Sequence, residues 1–291
     1  MPITQVADLT TAWCFRGKLH NSSALSPKSG NSAVGVCPET YPPYIGVTAT
    51  PVIDAASNTM YVVAFSSDDH KHYLHALDLS DDLKDRVPPT AIESPAGMIT
   101  PQEVSQGYRF ALYERNRPGL LLMNGIIYVA FAGFICDNPQ PYAGWVFGYS
   151  ADLNQASVWR TPPNISGDGI WQGGRGLVAA PDGSIYFETG NQEGGNLAPG
   201  KVANSFVNLA ASCSEGLKLQ GFFEPANSVN LSNGDTDLGS SGPILVHDRL
   251  IGGGKEGRVY VLDAKTMKLS QDAPYSDGGQ GFPGFVNHLP Q

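Results

Sequence analysis

Short apolar segments separated by polar turns recur four times along this chain, between residues 50 and 263. Each repeat has an apolar strand, a polar turn, a second apolar strand, a longer loop and a third strand. The strands are rich in β-branched and aromatic residues and carry apolar side chains on both faces, which is typical of stacked sheets. The predicted strands are 50–53, 60–63 and 74–78; 119–122, 127–130 and 145–149; 176–179, 185–187 and 205–209; and 242–246, 250–252 and 259–263.

The turns between the first two strands of a repeat contain residues that suit tight hairpins. Asn124-Gly125 and Asp182-Gly183 tolerate the positive φ angles that such hairpins require. More polar fourth strands are predicted at 157–160 and 217–223. Four antiparallel strands per repeat predict an all-β fold, a β-propeller built from four-stranded blades. The alternative for the same pattern is a β-sandwich.

One position of the second strand recurs in all four repeats. It is occupied by Tyr61, Tyr128, Tyr186 and Leu250, which are 67, 58 and 64 residues apart. Compact propeller blades repeat every 40–50 residues or so. We therefore expect enlarged loops between the strands.

Composition and charge narrow the range of functions. The chain of 291 residues contains 34 Gly and 22 Pro, and only 15% of its residues are charged, which favours many turns between short strands. The net charge is −9 and no basic cluster is present, so a nucleic-acid partner is not expected. No apolar stretch approaches the roughly 20 residues of a membrane-spanning helix. The four cysteines, at positions 14, 37, 136 and 213, lack the spacing of a metal site and permit two disulfides of open connectivity.

The fourth repeat contains a recognisable motif. Residues 257–266, Gly-Arg-Val-Tyr-Val-Leu-Asp-Ala-Lys-Thr, resemble the G-x-[VL]-Y-[AV]-L-D-x-x-T segment of PQQ-like repeats. Residues 237–243 resemble the segment that leads into the innermost strand of a blade. Residues 46–54, 117–122 and 169–174 are similar to a group of secreted, mostly uncharacterised PQQ-like propeller proteins. The resemblance extends from about residue 45 to the end of the chain.

That resemblance implies a ring of about eight blades, of which four complete repeats are visible, so we expect the chain to be a fragment of a larger ring. It divides the chain into a polar segment at 1–44, interpreted as an incomplete blade, and propeller repeats at 45–291. The superfamily includes quinone-dependent alcohol dehydrogenases and outer-membrane assembly scaffolds. The dehydrogenases carry adjacent cysteines beside the quinone, whereas no two cysteines here are neighbours. PQQ is therefore not expected as a cofactor.

The loops on one face of a propeller are the place where ligands usually bind, and the candidate site residues lie in such loops. An aromatic ring beside a guanidinium and an amide suits a sugar ring or a carboxylate-bearing ligand, so Trp171, Gln172 and Arg175 form the leading group. The alternative is structural, with Trp171 packed between blades and Gln172 capping strand edges. The full set of predicted ligand-binding residues is Trp171, Gln172, Arg175, Arg117, Asn191, Glu193, Asp237 and Lys255.

Two weaker hypotheses concern metal ions. His70 and His72 alternate along a predicted strand, which would direct both rings to one side, although no third ligand is evident. The alternative is a solvated hairpin tip. Asp235 and Asp237 offer oxygen ligands to calcium without the spacing of an EF-hand, and an acidic loop that holds its own turn is the alternative. Calcium is thus the one metal cofactor under consideration.

These features favour an extracytoplasmic module that binds a carbohydrate, a small polar ligand or a protein on its loop-rich face. The alternative is an enzyme. It would be a polysaccharide lyase or glycoside hydrolase that uses Glu193 and Asp237, or His70, for acid–base catalysis, or else a quinone-dependent dehydrogenase. A secreted or periplasmic location is expected, although the first residues show no signal-peptide pattern.

Overall fold

The four predicted repeats form four antiparallel sheets, which follow one another along the chain. The structure is a computed structural model, and it describes residues 46–66, 69–105, 107–133, 142–162, 166–193, 202–212 and 214–274. The predicted segment 1–44 and the four cysteines lie outside the described residues.

The first sheet contains β1 (Val52–Asp54), β2 (Thr59–Ser66), β3 (Lys71–Asp78) and β4 (Thr90–Ile92). The second contains β5 (Glu114–Arg115), β6 (Leu121–Met123), β7 (Ile126–Gly133), β8 (Trp145–Ser150) and β9 (Gln155–Arg160). A small separate sheet pairs β10 (Ser166–Gly167) with β13 (Gln192–Glu193). The third sheet contains β11 (Val178–Ala179), β12 (Ser184–Glu188), β14 (Phe206–Ser212) and β15 (Gly216–Phe223). The fourth contains β16 (Ile244–Val246), β17 (Arg249–Gly253), β18 (Arg258–Asp263) and β19 (Leu269–Pro274).

The propeller prediction is confirmed, and the β-sandwich alternative is wrong. The innermost strands β1, β6, β11 and β16 contact one another in chain order. At this inner edge, the N–H of Leu120 donates to the carbonyl oxygen of Thr50 at 2.9 Å, and the N–H of Gly119 donates to that of Arg175 at 3.1 Å. The sheets therefore extend outward from a common axis as blades. The predicted fourth strands are confirmed as β9 and β15.

The register of the fourth blade corrects one predicted equivalence. Tyr61, Tyr128 and Tyr186 hold the same pairing position against the innermost strands of the first three blades. In the fourth blade that position belongs to Ile251, so the prediction for Leu250 is wrong by one residue. Because successive side chains of a strand point to opposite faces, Leu250 packs on the third blade and Ile251 faces away from it.

Apolar side chains fill a layer between each pair of consecutive blades, which explains why the strands are apolar on both faces. The layer between the first and second blades is rich in aromatic rings. Phe110 makes edge-to-face contacts with the rings of Phe131, Trp145 and Phe147. Such ring pairs stabilise by about 0.5–1.5 kcal/mol each beyond the area that they bury.

In the part of the chain that the structure describes, three short α-helices lie between strands, and none of them was predicted. α1 (Pro101–Ser105) and α2 (Phe110–Tyr113) lie between the first two blades, and α3 (Ser228–Asn233) follows the third. A buried ion pair holds α1 against β9: Arg160 Nη2 lies 2.6 Å from Glu103 Oε1, and each side chain is 5% exposed. The Arg160 guanidinium also lies 4.8 Å from the ring centroid of Trp145. No helix in the described ranges is long and apolar enough to cross a membrane.

A second buried polar group lies beside α2. Glu114 is fully buried, and its Oε1 accepts hydrogen bonds from the Tyr108 hydroxyl at 2.7 Å and the Ala143 N–H at 2.9 Å. Its carbonyl oxygen lies 2.8 Å from His72 Nε2. Burial raises the pKa of Glu114 to about 8 and lowers the pKa of His72 to about 4. Both groups are therefore mainly uncharged at neutral pH.

Glu114 and His72 are expected to give the free energy of unfolding two opposing pH dependences. Since the pKa of Glu114 is raised from 4.5, its contribution is complete at low pH and is lost as the pH rises from 4.5 to 8. Since the pKa of His72 is lowered from 6.5, its contribution is complete above pH 6.5 and is lost as the pH falls to about 4. Of these two groups, only Glu114 contributes a slope between pH 6.5 and 8, at about 1.4 kcal/mol per pH unit for one proton.

Urea unfolding at pH 6.5, 7.2 and 8 checks this expectation. In the Glu114→Gln variant, the free energy of unfolding should fall less steeply with rising pH than in the wild type, by about 1.4 kcal/mol per pH unit. The comparison with wild type is needed because Glu188, another buried carboxyl with a raised pKa, contributes a slope of the same sign. Equal slopes in the two proteins would show that Glu114 is ionised in the folded chain.

Candidate functional site

Trp171 lies on the connection from the second blade to the third, and its indole rests on two glycines. A Cβ atom at Gly190 would come within 2.7 Å of Trp171 Cδ1, and one at Gly169 within 3.1 Å of Nε1. The Gly190 N–H donates to the Gly169 carbonyl oxygen at 2.9 Å, so the two backbones form a joined support. Trp171 is half-buried, which leaves part of the ring accessible.

Two side chains of the second blade border this indole. The Arg117 guanidinium carbon lies 5.6 Å from the ring centroid, within the range of a cation–π interaction. The Tyr142 ring meets Trp171 edge to face at a centroid distance of 5.9 Å. The Arg117 guanidinium is half-buried and forms no hydrogen bond or ion pair with the residues that the structure describes.

Asp237 connects the indole to the fourth blade. A Cβ atom at Gly190 would lie 3.1 Å from Asp237 Oδ1 as well as against Trp171, so the carboxylate and the ring flank the same glycine. The other carboxylate oxygen, Oδ2, lies 2.5 Å from Lys255 Nζ. Only 15% of the Asp237 side chain is exposed, compared with 37% of Lys255. The ion pair is therefore partly buried, which restricts its position.

Asn191 and Asn204 extend the polar network behind Asp237. The Asn191 N–H donates to Asp237 Oδ1 at 3.2 Å, and its Nδ2 donates to Asp235 Oδ1 at 3.1 Å. Asn204 is fully buried and donates from Nδ2 to Asn191 Oδ1 at 3.1 Å. Asn204 Oδ1 in turn accepts the Leu238 N–H at 3.0 Å. These hydrogen bonds fix the orientation of the Asn191 side-chain amide.

Gln172 faces the interior, contrary to the prediction that it contacts a ligand. It is 1% exposed, and its Oε1 accepts the Glu188 N–H at 3.1 Å. Its Nε2 donates to the carbonyl oxygens of Arg175 and Gly176 at 3.2 and 3.0 Å. Gln172 thus joins the 3₁₀ turn at Gln172–Gly174 to β12 and to the start of β11.

Arg175 follows that turn and passes along the fourth blade. A Cβ atom at Gly242 would lie 3.1 Å from Arg175 Cδ. Nearby, Glu188 is fully buried, and a Cβ atom at Gly252 would overlap its Oε1. Burial raises the pKa of Glu188 well above its usual range, and the charge of Arg175 opposes that shift. Burial also lowers the pKa of Arg175, whose guanidinium still keeps its charge.

The structure therefore brings five of the predicted residues together around one glycine-supported indole. We call this group the Trp171 site: Trp171, Arg117, Asn191, Asp237 and Lys255. Arg175 lies beside it, at the inner edge of the blades. The backbone of Glu193 pairs with Ser166 in the small sheet, but its side chain lies outside the described residues.

The strand alternation assumed for the predicted histidine pair does not hold. His70 has φ 57°, so the alternation of an extended strand does not apply at this residue. His70 is exposed, whereas His72 is buried in edge-on contact with Phe65 and Phe131 at 4.9 and 5.2 Å. The two imidazoles therefore lie in different environments.

The predicted calcium ligands contact an ammonium group in this structure. Lys255 Nζ lies 3.3 Å from Asp235 Oδ2 and 2.5 Å from Asp237 Oδ2. Across the described ranges, no group of three or more His, Cys, Asp or Glu side chains is placed to hold a metal ion.

Three residues of this region were not found from the sequence: Tyr142, Asn204 and Glu188. Glu188 carried a usable signal, because it is a carboxylate that directly follows the apolar strand residues 185–187. Asn204 and Tyr142 lie in long connections where neither spacing nor alternation predicts a contact.

The comparisons with known proteins show similarity of fold alone. No protein-family model matches the chain, and no curated protein has a similar sequence. One similar solved structure is the quinohemoprotein alcohol dehydrogenase ADHIIG from Pseudomonas putida HK5, which has 15% sequence identity to this chain and a TM-score of 0.48. The match covers 79% of this chain and 42% of that one. The quinohemoprotein alcohol dehydrogenase from Comamonas testosteroni has 14% identity to this chain and a TM-score of 0.46, and the match covers 82% of this chain and 45% of that one. BamB from Moraxella catarrhalis has 12% identity and a TM-score of 0.41, and the match covers 79% of this chain and 50% of that one. The chain spans half or less of the length of these three proteins.

Proposed function

We propose that this chain is a propeller binding module that holds a carbohydrate or a related small polar ligand at the Trp171 site. One observation carries the proposal: side chains from three different blades meet at one half-buried indole. Arg117 precedes the innermost strand of the second blade, Trp171 precedes that of the third, and Asp237, which flanks the same glycine as the indole, precedes that of the fourth. Such convergence on one apolar face with a few fixed polar groups is typical of small-ligand sites.

A sugar ring fits the chemistry of this group. Its C–H face packs on an indole, while its hydroxyl groups need fixed donors and acceptors at the edge. Asn191, Asp237 and Lys255 supply both kinds, and the bonds from Asn204 hold Asn191 in place. Preorganised polar groups reduce the entropy that is lost on binding.

The proposal includes an extracytoplasmic location and no quinone cofactor. The resemblance to secreted PQQ-like propellers supports the first, and the separation of the four cysteines in sequence supports the second. The enzyme alternative depends on Asp237 as a catalytic carboxylate. That side chain already binds Lys255 Nζ and accepts the Asn191 N–H, which supports a role in holding the site together.

Replacing Trp171 with alanine is expected to weaken ligand binding about tenfold or more while changing the unfolding temperature little. Removing an aromatic side chain from the centre of a binding site costs about 2 kcal/mol or more. The half-buried ring rests on glycines, so its loss opens little of the core. An array of neutral and uronic-acid oligosaccharides would select a ligand, and calorimetric titration would compare the two proteins.

Trp159→Ala is the matched control. Trp159 packs edge to face on Phe187 at 5.6 Å in the layer between the second and third blades. This variant should lose stability and retain affinity. A large fall in unfolding temperature for Trp171→Ala, with unchanged affinity, would reject the proposal. Cleavage of the bound oligosaccharide that Asp237→Asn abolishes would assign the site to catalysis instead.

A further inference from the structure

The fourth blade presents an apolar face on the side away from the third blade. Leu245, Leu250 and Leu262 pack on the third blade, so the alternating residues of the same strands point the other way. We call these residues the outer face of the fourth blade: Ile244, Val246, Ile251, Val259 and Val261. Each of the five is at least partly exposed, and none of them belongs to an apolar cluster of the described residues.

The equivalent face of each earlier blade is buried against the next blade. Ile251 holds the pairing position that Tyr61, Tyr128 and Tyr186 hold in the first three blades. Those three tyrosines lie in the apolar layers that their blades share with the following blade. The outer face of the fourth blade therefore has the position and the apolar character of a surface that is buried in the other three.

The path of the chain after each blade shows what covers such a face first. From the outermost strand the chain returns to the inner edge through residues 93–120, 161–177 and 224–243. At or directly before the next innermost strand, an apolar residue then packs into the layer on the blade just completed. Leu120, Leu177 and Leu245 are these residues in the three connections.

Residues 275–291 follow the outermost strand of the fourth blade, β19, in the same way. They are 17 in number, as many as in the connection 161–177, and four apolar residues fall within 282–289: Phe282, Phe285, Val286 and Leu289. The eight residues 275–282 reach up to about 26 Å when extended. The distance to cross is shorter, because four paired strands span only about 14 Å from outermost to innermost.

We infer that residues 282–289 cover the outer face of the fourth blade, with their apolar side chains packed on Ile251 and Val261. These two residues pair with each other at the centre of that face. The size of the face favours this occupant over a second copy of the chain. Four strands of six residues or fewer give a face of roughly 400 Å², whereas a specific dimer buries about 800 Å² on each partner. An attached segment needs less area because its effective concentration is high.

The test compares the full chain with a chain that ends at Pro274. The full chain should unfold at a temperature higher by about 4 °C or more, because two or more apolar side chains leave water. Ile251→Ser should lower the unfolding temperature of the full chain at least about twice as much as that of the shortened chain, which has no segment to lose from Ile251. Thermal unfolding followed by circular dichroism measures all four proteins.

Phe285→Ser tests the same contact within the full chain. It should lower the unfolding temperature, and the double variant Phe285→Ser/Ile251→Ser should lose less than the sum of the two single changes. If the shortened chain does not fold, this comparison alone decides. Ile53→Ser is the matched control, because Ile53 lies in β1 of the first blade and is 48% exposed. Its effect should be equal in both chain lengths and additive with Phe285→Ser.

Equal unfolding temperatures for the two chain lengths, or additive effects of Phe285→Ser and Ile251→Ser, would overturn the inference. Light scattering identifies the competing occupant. A full chain that is dimeric, that stays dimeric when it ends at Pro274 and that becomes monomeric in Ile251→Ser would assign the outer face to a second copy. That result would overturn the inference as well.

Discussion

Replacing Arg160 with methionine is expected to lower the free energy of unfolding by about 3–5 kcal/mol, the usual cost of leaving one member of a buried ion pair without its partner. The Arg160 side chain lies 2.6 Å from Glu103 Oε1, and both side chains are 5% exposed. Methionine fills a similar volume but leaves the Glu103 carboxylate with only the N–H and hydroxyl of Thr100 as donors. The cation–π contact with Trp145 is lost as well. Urea unfolding at pH 7 measures the change.

The double variant Arg160→Met/Glu103→Leu distinguishes the buried charge from the loss of packing. Removing both charges should recover most of the stability, because apolar replacements of buried ion pairs are often neutral or stabilising. If the double variant is as unstable as Arg160→Met alone, the ion pair is not the source of the effect. Proteolysis should also attack the α1 segment earlier in the single variant, since that ion pair holds α1 on β9.

Replacing Gly252 with alanine is expected to destabilise the chain by about 1–3 kcal/mol or more through overpacking. A Cβ atom there would overlap Glu188 Oε1 and come within 2.6 Å of Phe206 Cε1. Both neighbours are fully buried between the third and fourth blades, so neither can move away without disturbing this layer. Thermal unfolding followed by circular dichroism measures the shift.

Gly176→Ala is the matched control, because its Cβ would lie 3.4 Å from the nearest atoms, an ordinary contact. It should change the unfolding temperature much less than Gly252→Ala. Shortening the obstructing side chain in Gly252→Ala/Glu188→Ala should give a double variant more stable than the sum of the two single changes predicts. Additive effects would mean that Glu188 does not occupy the space above Gly252.

The architecture could be predicted because each blade is encoded by local patterns. The Asn124-Gly125 turn lies between two strands that carry apolar side chains on both faces, so residues close in sequence are enough to specify a hairpin. The error at Leu250 has the same origin. The second strand of the fourth blade lacks the tyrosine found in the other three, and alternation alone does not distinguish two neighbouring apolar residues until pairing partners are known.

The site could be predicted only in part. Trp171, Arg117 and Asp237 were found because they lie in connections that a propeller places on one face. The burial of Gln172 could not be predicted, because it depends on three backbone groups brought together by the 3₁₀ turn. His70 shows a further reason for error: a single residue with positive φ ends the strand alternation on which the metal prediction relied.

The packing of the blades also determines how the molecule can come apart. In the described residues the larger contacts join only strands of the same sheet or of consecutive sheets, so cooperativity passes from neighbour to neighbour as in a linear array. Damage to the layer containing Gly252 would loosen the fourth blade first, while amide hydrogens in the aromatic layer around Phe110 stay protected from exchange. Local unfolding that starts at the fourth blade would then be a normal fluctuation of the folded chain.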